Sequence, residues 1–147
     1  MSKSNIGALQ DLIQIARDSK AFYESAISKV KDPTTKAVYE RMATAKGDLI
    51  NKLSALVSSR GETPATGDTL VGNLRQAYAD LRAAMSRNDD AIYTAQLEET
   101  EDRLLKYFDQ TLAQTSSMEI RAVLEAQLPQ VHACHNAMRN LKTSLAA

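Results

Sequence analysis

Hydrophobic residues recur three and four positions apart along most of the chain, and no segment alternates as a β-strand would. This spacing is typical of amphipathic helices that turn one face to a core. Asp32 followed by Pro33 predicts a helix start, and Gly61 after a periodic stretch predicts a helix end. We therefore predict an all-α protein with five helices, near residues 5–31, 33–60, 68–86, 89–114 and 117–145.

Four of the predicted helices are long, and the third, over 68–86, is shorter. Two long helices joined by a short turn tend to form an antiparallel hairpin. The short helix between the two hairpins then serves as a crossover connection. The pattern predicts one domain over residues 1–147, built as an up-down four-helix bundle with a fifth, shorter crossover helix.

Polar residues on the apolar faces are the first candidates for function. Successive helical residues lie roughly 100° apart, which puts one polar residue on the apolar face of each long helix. These residues are Ser19, Lys46, Glu101 and Gln127. In the fourth predicted helix, Glu98, Glu99 and Asp102 fall progressively further from the centre of that face, so only Glu101 is expected to point inward.

A buried charge is costly unless a partner compensates for the lost hydration. We therefore expect Lys46 and Glu101 to meet in the interior, with Ser19, Gln127 or tyrosine side chains completing the hydrogen bonds. The alternative is that the methylene groups of Lys46 extend along the surface to water while Glu101 lies at a margin between helices.

Composition and charge exclude several kinds of partner. Eighteen basic and eighteen acidic residues cancel, so no net field attracts nucleic acid or anionic lipid. No apolar run approaches the roughly 20 residues that cross a bilayer. The single Cys134 has no internal disulfide partner, and the first five residues lack the apolar stretch of a secretory signal. We expect a protein of the reducing cytoplasm, with neither nucleic acid nor membrane as partner.

Several segments together resemble a known family. They are Asp18 to Tyr23, the turn from Val30 to Pro33, the run Glu98 to Asp102 with Tyr107, and the segment Gln127 to His135. In order and spacing they resemble a bacterial family of ferritin-like four-helix bundle proteins classed as a domain of unknown function. The resemblance runs from about Leu9 to Leu141. It implies a ferritin-like bundle with a long crossover, bacterial and cytoplasmic, with no established reaction.

The better-known ferritin-like proteins bind two iron or manganese ions through a Glu from each of two helices and a Glu-x-x-His from each of the others. This chain departs from that pattern. Ser19 stands where the first helix should present a carboxylate, the second offers Thr44 to Gly47, and the last has His132 and His135 without the Glu. Only Glu101, with His135 at the edge of its apolar face, can be carried over as a ligand. We therefore expect no two-metal centre and no cofactor.

Three classes of function remain. The favoured one is a non-enzymatic structural or interaction protein whose metal site has been replaced by interior polar groups. The second is a ferritin relative that stores, sequesters or oxidises iron, manganese or another transition metal through Glu101, His132 and His135. The third is a binder of a small apolar molecule, for which Met42, Met85 and Met138 offer flexible, polarisable side chains that could line a pocket. No Ser-His-Asp or Cys-His-Asn set and no glycine-rich phosphate loop indicates an enzyme.

Self-association is a further expectation. Ile13, Ile27, Tyr93 and Leu128 lie beyond the main apolar stripes, where a single bundle would leave them partly in water. Exposed apolar surface of this kind is often covered by another protein. We expect a homo-oligomer, most simply a dimer.

Overall fold

The computed structural model describes residues 5–65, 83 and 90–146. Within these ranges the chain forms four α-helices and no strand, which confirms the all-α prediction. The helices are α1 (Asn5–Ile27), α2 (Pro33–Ser59), α3 (Asp90–Gln114) and α4 (Met118–Ala146). The predicted fifth helix over 68–86 lies, apart from Ala83, outside the described residues.

The helix boundaries agree with the sequence pattern except at the end of α1. This helix was predicted to continue to residue 31 and ends at Ile27. The Lys29 N–H donates to the carbonyl of Ala26, three residues before it, and Asp32 is extended before Pro33. At the start of α2 the Asp32 carboxylate accepts from the Thr35 N–H at 2.9 Å, as an N-cap does. After α2, Gly61 adopts a positive φ of 80°, which suits a residue without a side chain.

Contacts at the helix ends establish the direction of each helix. The N–H of Asp32, just after α1, donates to the Asp90 carboxylate at the start of α3, so α1 and α3 are antiparallel. Arg60, at the end of α2, donates to Ser117 at the start of α4, so α2 and α4 are antiparallel too. The turns after α1 and α3 make two antiparallel hairpins. Consequently the C-terminus of α2 and the N-terminus of α3 lie at opposite ends of the four-helix assembly.

The core consists of two apolar clusters. One takes its residues from the early part of α1 and the late part of α2, and includes Leu12, Leu53, Leu104 and Leu124. The other takes them from the late part of α1 and the early part of α2, and includes Phe22, Tyr39, Leu97 and Met138. Along α1, α2 and α3 the clusters are separated by positions near Ser19, Lys46 and Glu101, all buried. A buried polar layer therefore crosses the middle of the assembly.

Candidate functional site

The centre of the polar layer is an ion pair between α2 and α3. Lys46 Nζ lies 2.8 Å from Glu101 Oε1, and the two side chains are 2% and 0% exposed. Each comes from the middle of a long helix, and their helices are diagonal to each other, so the pair forms across the interior. Helical periodicity makes each residue face inward, and the packing of the two helices brings them to the same level. The structure does not place Lys46 in water or Glu101 at a margin.

Tyr23 of α1 is the third member of this arrangement. Its hydroxyl donates to the same carboxylate oxygen, Glu101 Oε1, at 2.7 Å, and Lys46 Nζ lies 6.0 Å from the centroid of its ring. Burial, and then the Glu101 carboxylate, raise the pKa of Tyr23 well above its ordinary value, so the phenol remains a proton donor. We call Tyr23, Lys46 and Glu101 the interior triad.

The other two residues of the predicted polar set are not hydrogen-bonded to the triad within the described residues. Ser19 is buried on α1, one turn before Tyr23, and its hydroxyl has no hydrogen-bond partner among the described residues. Gln127 is half-buried on α4 and lines a cavity of about 10 Å³ together with Lys46 and Cys134. A cavity of that size has room for about one water molecule.

The remaining polar atoms of this layer are one carboxylate oxygen and a thiol. Glu101 Oε2 has no hydrogen-bond partner within the described part of the chain, whereas Oε1 contacts both Lys46 and Tyr23. Burial raises the pKa of the Cys134 thiol, and the nearby Lys46 ammonium partly opposes this rise. A thiol with a raised pKa is a poor nucleophile at neutral pH. The layer therefore has the chemistry of a buried hydrogen-bonded ion pair.

A second buried carboxyl group lies on α1 outside the triad. Asp18 is 6% exposed, its Oδ1 accepts from Gln14 Nε2 at 3.1 Å, and its Oδ2 has no partner among the described residues. Burial raises the pKa of Asp18 to about 6, and the Gln14 hydrogen bond opposes this only in part. The apolar pattern did not indicate this residue, because it lies at the edge of the α1 face.

A third group of ionisable residues lies at the contact between α3 and α4. Glu98, Asp102 and His135 each offer one ligand atom, and these three atoms lie within 4.8 Å of one another. The ring nitrogen Nε2 of His135 contacts Asp102 Oδ1 directly. Glu98 is buried, although its position on α3 predicted that it would lie off the apolar face. It is buried at the margin where α4 packs beside it, with Lys142 of α4 at 3.7 Å.

The structure does not bring together the ligand set predicted for the metal-binding alternative, Glu101, His132 and His135. Glu101 belongs to the interior triad, whereas His135 contacts Asp102 at the α3–α4 margin. His132 is exposed and is not a member of the ligand group. The i,i+3 spacing of the histidines puts them near each other along α4 but does not turn both towards the same neighbouring helix.

The residues that suggested binding of a small apolar molecule and self-association lie largely in the core. Met42 and Met138 pack in the second apolar cluster, and Met85 lies outside the described residues. Ile13 and Tyr93, expected to remain partly wet, are 0% exposed, so that expectation is wrong for both. Ile27 and Leu128 are half-buried. Within the described ranges, the large hydrophobic residue that stands out in solvent is Met118, at 87% exposure.

The helices were also compared with the requirements for crossing a membrane. None of those in the described ranges combines the necessary length with sufficient apolar character.

Comparisons with known proteins identify one family. A family model described as a domain of unknown function (DUF2383) matches residues 4–114, which is well over half of the chain. The matched segment contains α1, α2 and α3, and with them all three residues of the interior triad. A search of the curated proteins found no match.

Proposed function

The chain belongs to the DUF2383 family, and from this premise we propose that it is a ferritin-like helical bundle with a structural or interaction role and no enzymatic activity. In this proposal the two-metal centre of the better-known ferritin-like proteins has been replaced by the interior triad. Antiparallel hairpins whose connection joins opposite ends of the assembly support the ferritin-like topology. The single buried thiol, Cys134, suits a reducing cytoplasm.

The main support for the proposal is the contact between Lys46 and Glu101. A metal ion in the polar layer would need the Glu101 carboxylate, and the Lys46 ammonium lies 2.8 Å from it. The positive charge of Lys46 would repel a cation at that position. Ser19, on α1, supplies a neutral hydroxyl in place of a carboxylate. Iron and manganese sites of this kind need several carboxylates and imidazoles, so the residues present do not fit a pair of ions.

Metal titration tests this part of the proposal. We expect anaerobic addition of Fe²⁺ or Mn²⁺ to the untagged protein, followed by calorimetry and elemental analysis, to show no pair of ions per chain. Oxygen consumption after Fe²⁺ addition should match that of buffer alone. Glu101→Gln should leave both measurements unchanged. Two ions per chain, lost in Glu101→Gln but retained in a control variant such as Asp109→Asn at an exposed position, would contradict the proposal.

We propose that the protein is a homodimer, although fewer apolar residues support this than the sequence suggested. Ile27 and Leu128 are half-buried and Met118 is exposed, whereas Ile13 and Tyr93 are covered within the chain. We expect light scattering to give twice the 16.1 kDa chain mass. A single-chain mass that persists as the protein concentration is raised would remove the dimer from the proposal without affecting the interior triad.

A further inference from the structure

Beyond the proposed function, the geometry points to a binding site for one divalent transition-metal ion at the α3–α4 margin, formed by Glu98, Asp102 and His135. We call these three residues the marginal site. Glu98 and Asp102 are one turn apart on α3, and His135 reaches them from α4. The site is distinct from the interior triad, because Glu101 on the same helix points to Lys46 and Tyr23 instead.

The ligand atoms are already close to coordinating positions. The three ligand atoms lie within 4.8 Å of one another. Bonds of about 2.0–2.2 Å to carboxylate oxygen and imidazole nitrogen, in a tetrahedral arrangement, set ligand atoms roughly 3.3–3.6 Å apart. Side-chain rotations that draw these atoms closer together therefore complete the site. Asp102 and His135 are in contact, so an ion entering between them would replace one hydrogen bond with two metal–ligand bonds.

The surroundings of Glu98 give an independent reason for a cation here. Its side chain is 11% exposed, and no hydrogen bond to its carboxylate is present within the described ranges. The cationic atom Lys142 Nζ lies 3.7 Å from Glu98 Oε2 and is therefore beyond ordinary hydrogen-bonding distance. Partial removal of a carboxylate from water without a close partner is costly, and a bound cation would compensate for this cost.

The marginal site is accessible from solvent. The side chains of His135 and Asp102 are 16% and 49% exposed, so an ion can enter without separating the helices. Lys142 is also 49% exposed on its side chain, and its flexible stem allows the ammonium to move into water. An incoming divalent ion would then take over the neutralisation of Glu98 that Lys142 now provides at longer range.

The donor set indicates which ions fit. Two carboxylates and one imidazole suit Zn²⁺, Mn²⁺ and Fe²⁺, and for sites of mixed oxygen and nitrogen donors affinity rises from Mn²⁺ to Zn²⁺. Three protein ligands leave at least one position for water, as in zinc sites with an open coordination position. We therefore assign the site to Zn²⁺ or a similar transition ion, with Co²⁺ as a spectroscopic substitute.

The experiment is a calorimetric titration of the untagged protein with Zn²⁺, together with visible absorption of the Co²⁺ form. We expect one ion per chain, with His135→Gln and Asp102→Asn each weakening Zn²⁺ binding by about tenfold or more. Lys142→Gln should strengthen it, because a competing cation is removed. The matched control is His132→Gln, an exposed histidine on the same helix, which should leave the affinity unchanged. Circular dichroism melts confirm that each variant is folded.

Two outcomes would overturn the assignment. One is a Zn²⁺ affinity that does not change in His135→Gln and Asp102→Asn. The other is equal loss in His132→Gln and His135→Gln with none in Asp102→Asn, which would indicate a surface histidine pair on α4. Neither outcome bears on the interior triad. The proposed function is tested by whether two ions bind per chain and by Glu101→Gln, whereas the marginal site is tested by the binding of one ion.

Discussion

Glu101→Gln and Lys46→Met are each expected to lower the free energy of unfolding by about 3–5 kcal/mol, because each leaves the other member of a buried ion pair without its countercharge. The side chains are 2% and 0% exposed, so water cannot replace the lost partner. For a chain of this size, losses of that magnitude correspond to a fall in melting temperature of about 10 °C. Urea or thermal unfolding followed by circular dichroism measures the effect.

The double variant distinguishes an ion pair from two independent substitutions. With both charges removed, neither residue leaves an uncompensated charge, so its loss should be smaller than the sum of the single losses by about 2 kcal/mol or more. Additive losses would contradict the pairing. The exposed pair Lys20 and Glu24, at 3.0 Å, is a matched control, for which each single change should cost less than about 1 kcal/mol.

The interior triad explains why this core is not uniformly apolar. Replacing a buried ion pair with well-packed hydrophobic residues is often neutral or stabilising, so the pair is weak evidence for stability in itself. Its two charges meet only when α2 and α3 are aligned at one level, with Tyr23 of α1 donating to the same oxygen. A shift of one helical turn would leave both charges buried and unpaired. The pair therefore favours a single register among these helices.

Periodicity was sufficient to predict the four described helices and the inward position of Lys46 and Glu101. A residue at the centre of an apolar face points to the interior whichever helices are its neighbours. The end of α1 was predicted less well, because Lys29 and Val30 continue a plausible helical pattern, whereas the bond from the Lys29 N–H to the Ala26 carbonyl spans only three residues. The contribution of Tyr23 could have been found by the same method, since it lies on the apolar face of α1.

Residues at the edges of the faces could not be assigned in this way. Whether an edge residue is covered depends on which helix packs beside it and at what level, and neither is encoded in the pattern of a single helix. Glu98 and Asp18 are both buried for this reason. For the same reason His135 was grouped with His132, its neighbour in sequence, whereas it contacts Asp102 across the helix pair. The candidate metal ligands were therefore only partly identified.

Asp18→Asn is expected to stabilise the protein above about pH 7, which is the second large effect that the structure predicts. The Asp18 carboxyl group is 6% exposed and one of its oxygens has no partner in the described part. Burial raises its pKa from 3.8 to about 6. A shift of about two units corresponds to roughly 2–3 kcal/mol, which the folded state loses when this group ionises. The neutral amide of Asn avoids that cost and can still accept from Gln14.

The sign of the pH dependence follows from the raised pKa. The folded state holds the proton more tightly than the unfolded state, so the stability contributed by protonated Asp18 is complete below about pH 4. It is lost as the pH rises through about 6 and does not change further at higher pH. Unfolding free energies of the wild type and Asp18→Asn, measured between pH 4 and 8, should therefore diverge across this interval. Parallel profiles would contradict the prediction.

A control separates this effect from the general loss of negative charge. Asp109→Asn removes the same charge from an exposed position on α3 and should change the unfolding free energy by less than about 0.5 kcal/mol at any pH in the interval. Asp18 is joined to Gln14, and no hydrogen bond or ion pair among the described residues joins it to the interior triad. In a triple variant with Glu101→Gln and Lys46→Met, the gain from Asp18→Asn should therefore add to the double variant almost unchanged. Such additivity would mean that Asp18 is a separate site of buried charge, whose cost the folded protein bears at neutral pH.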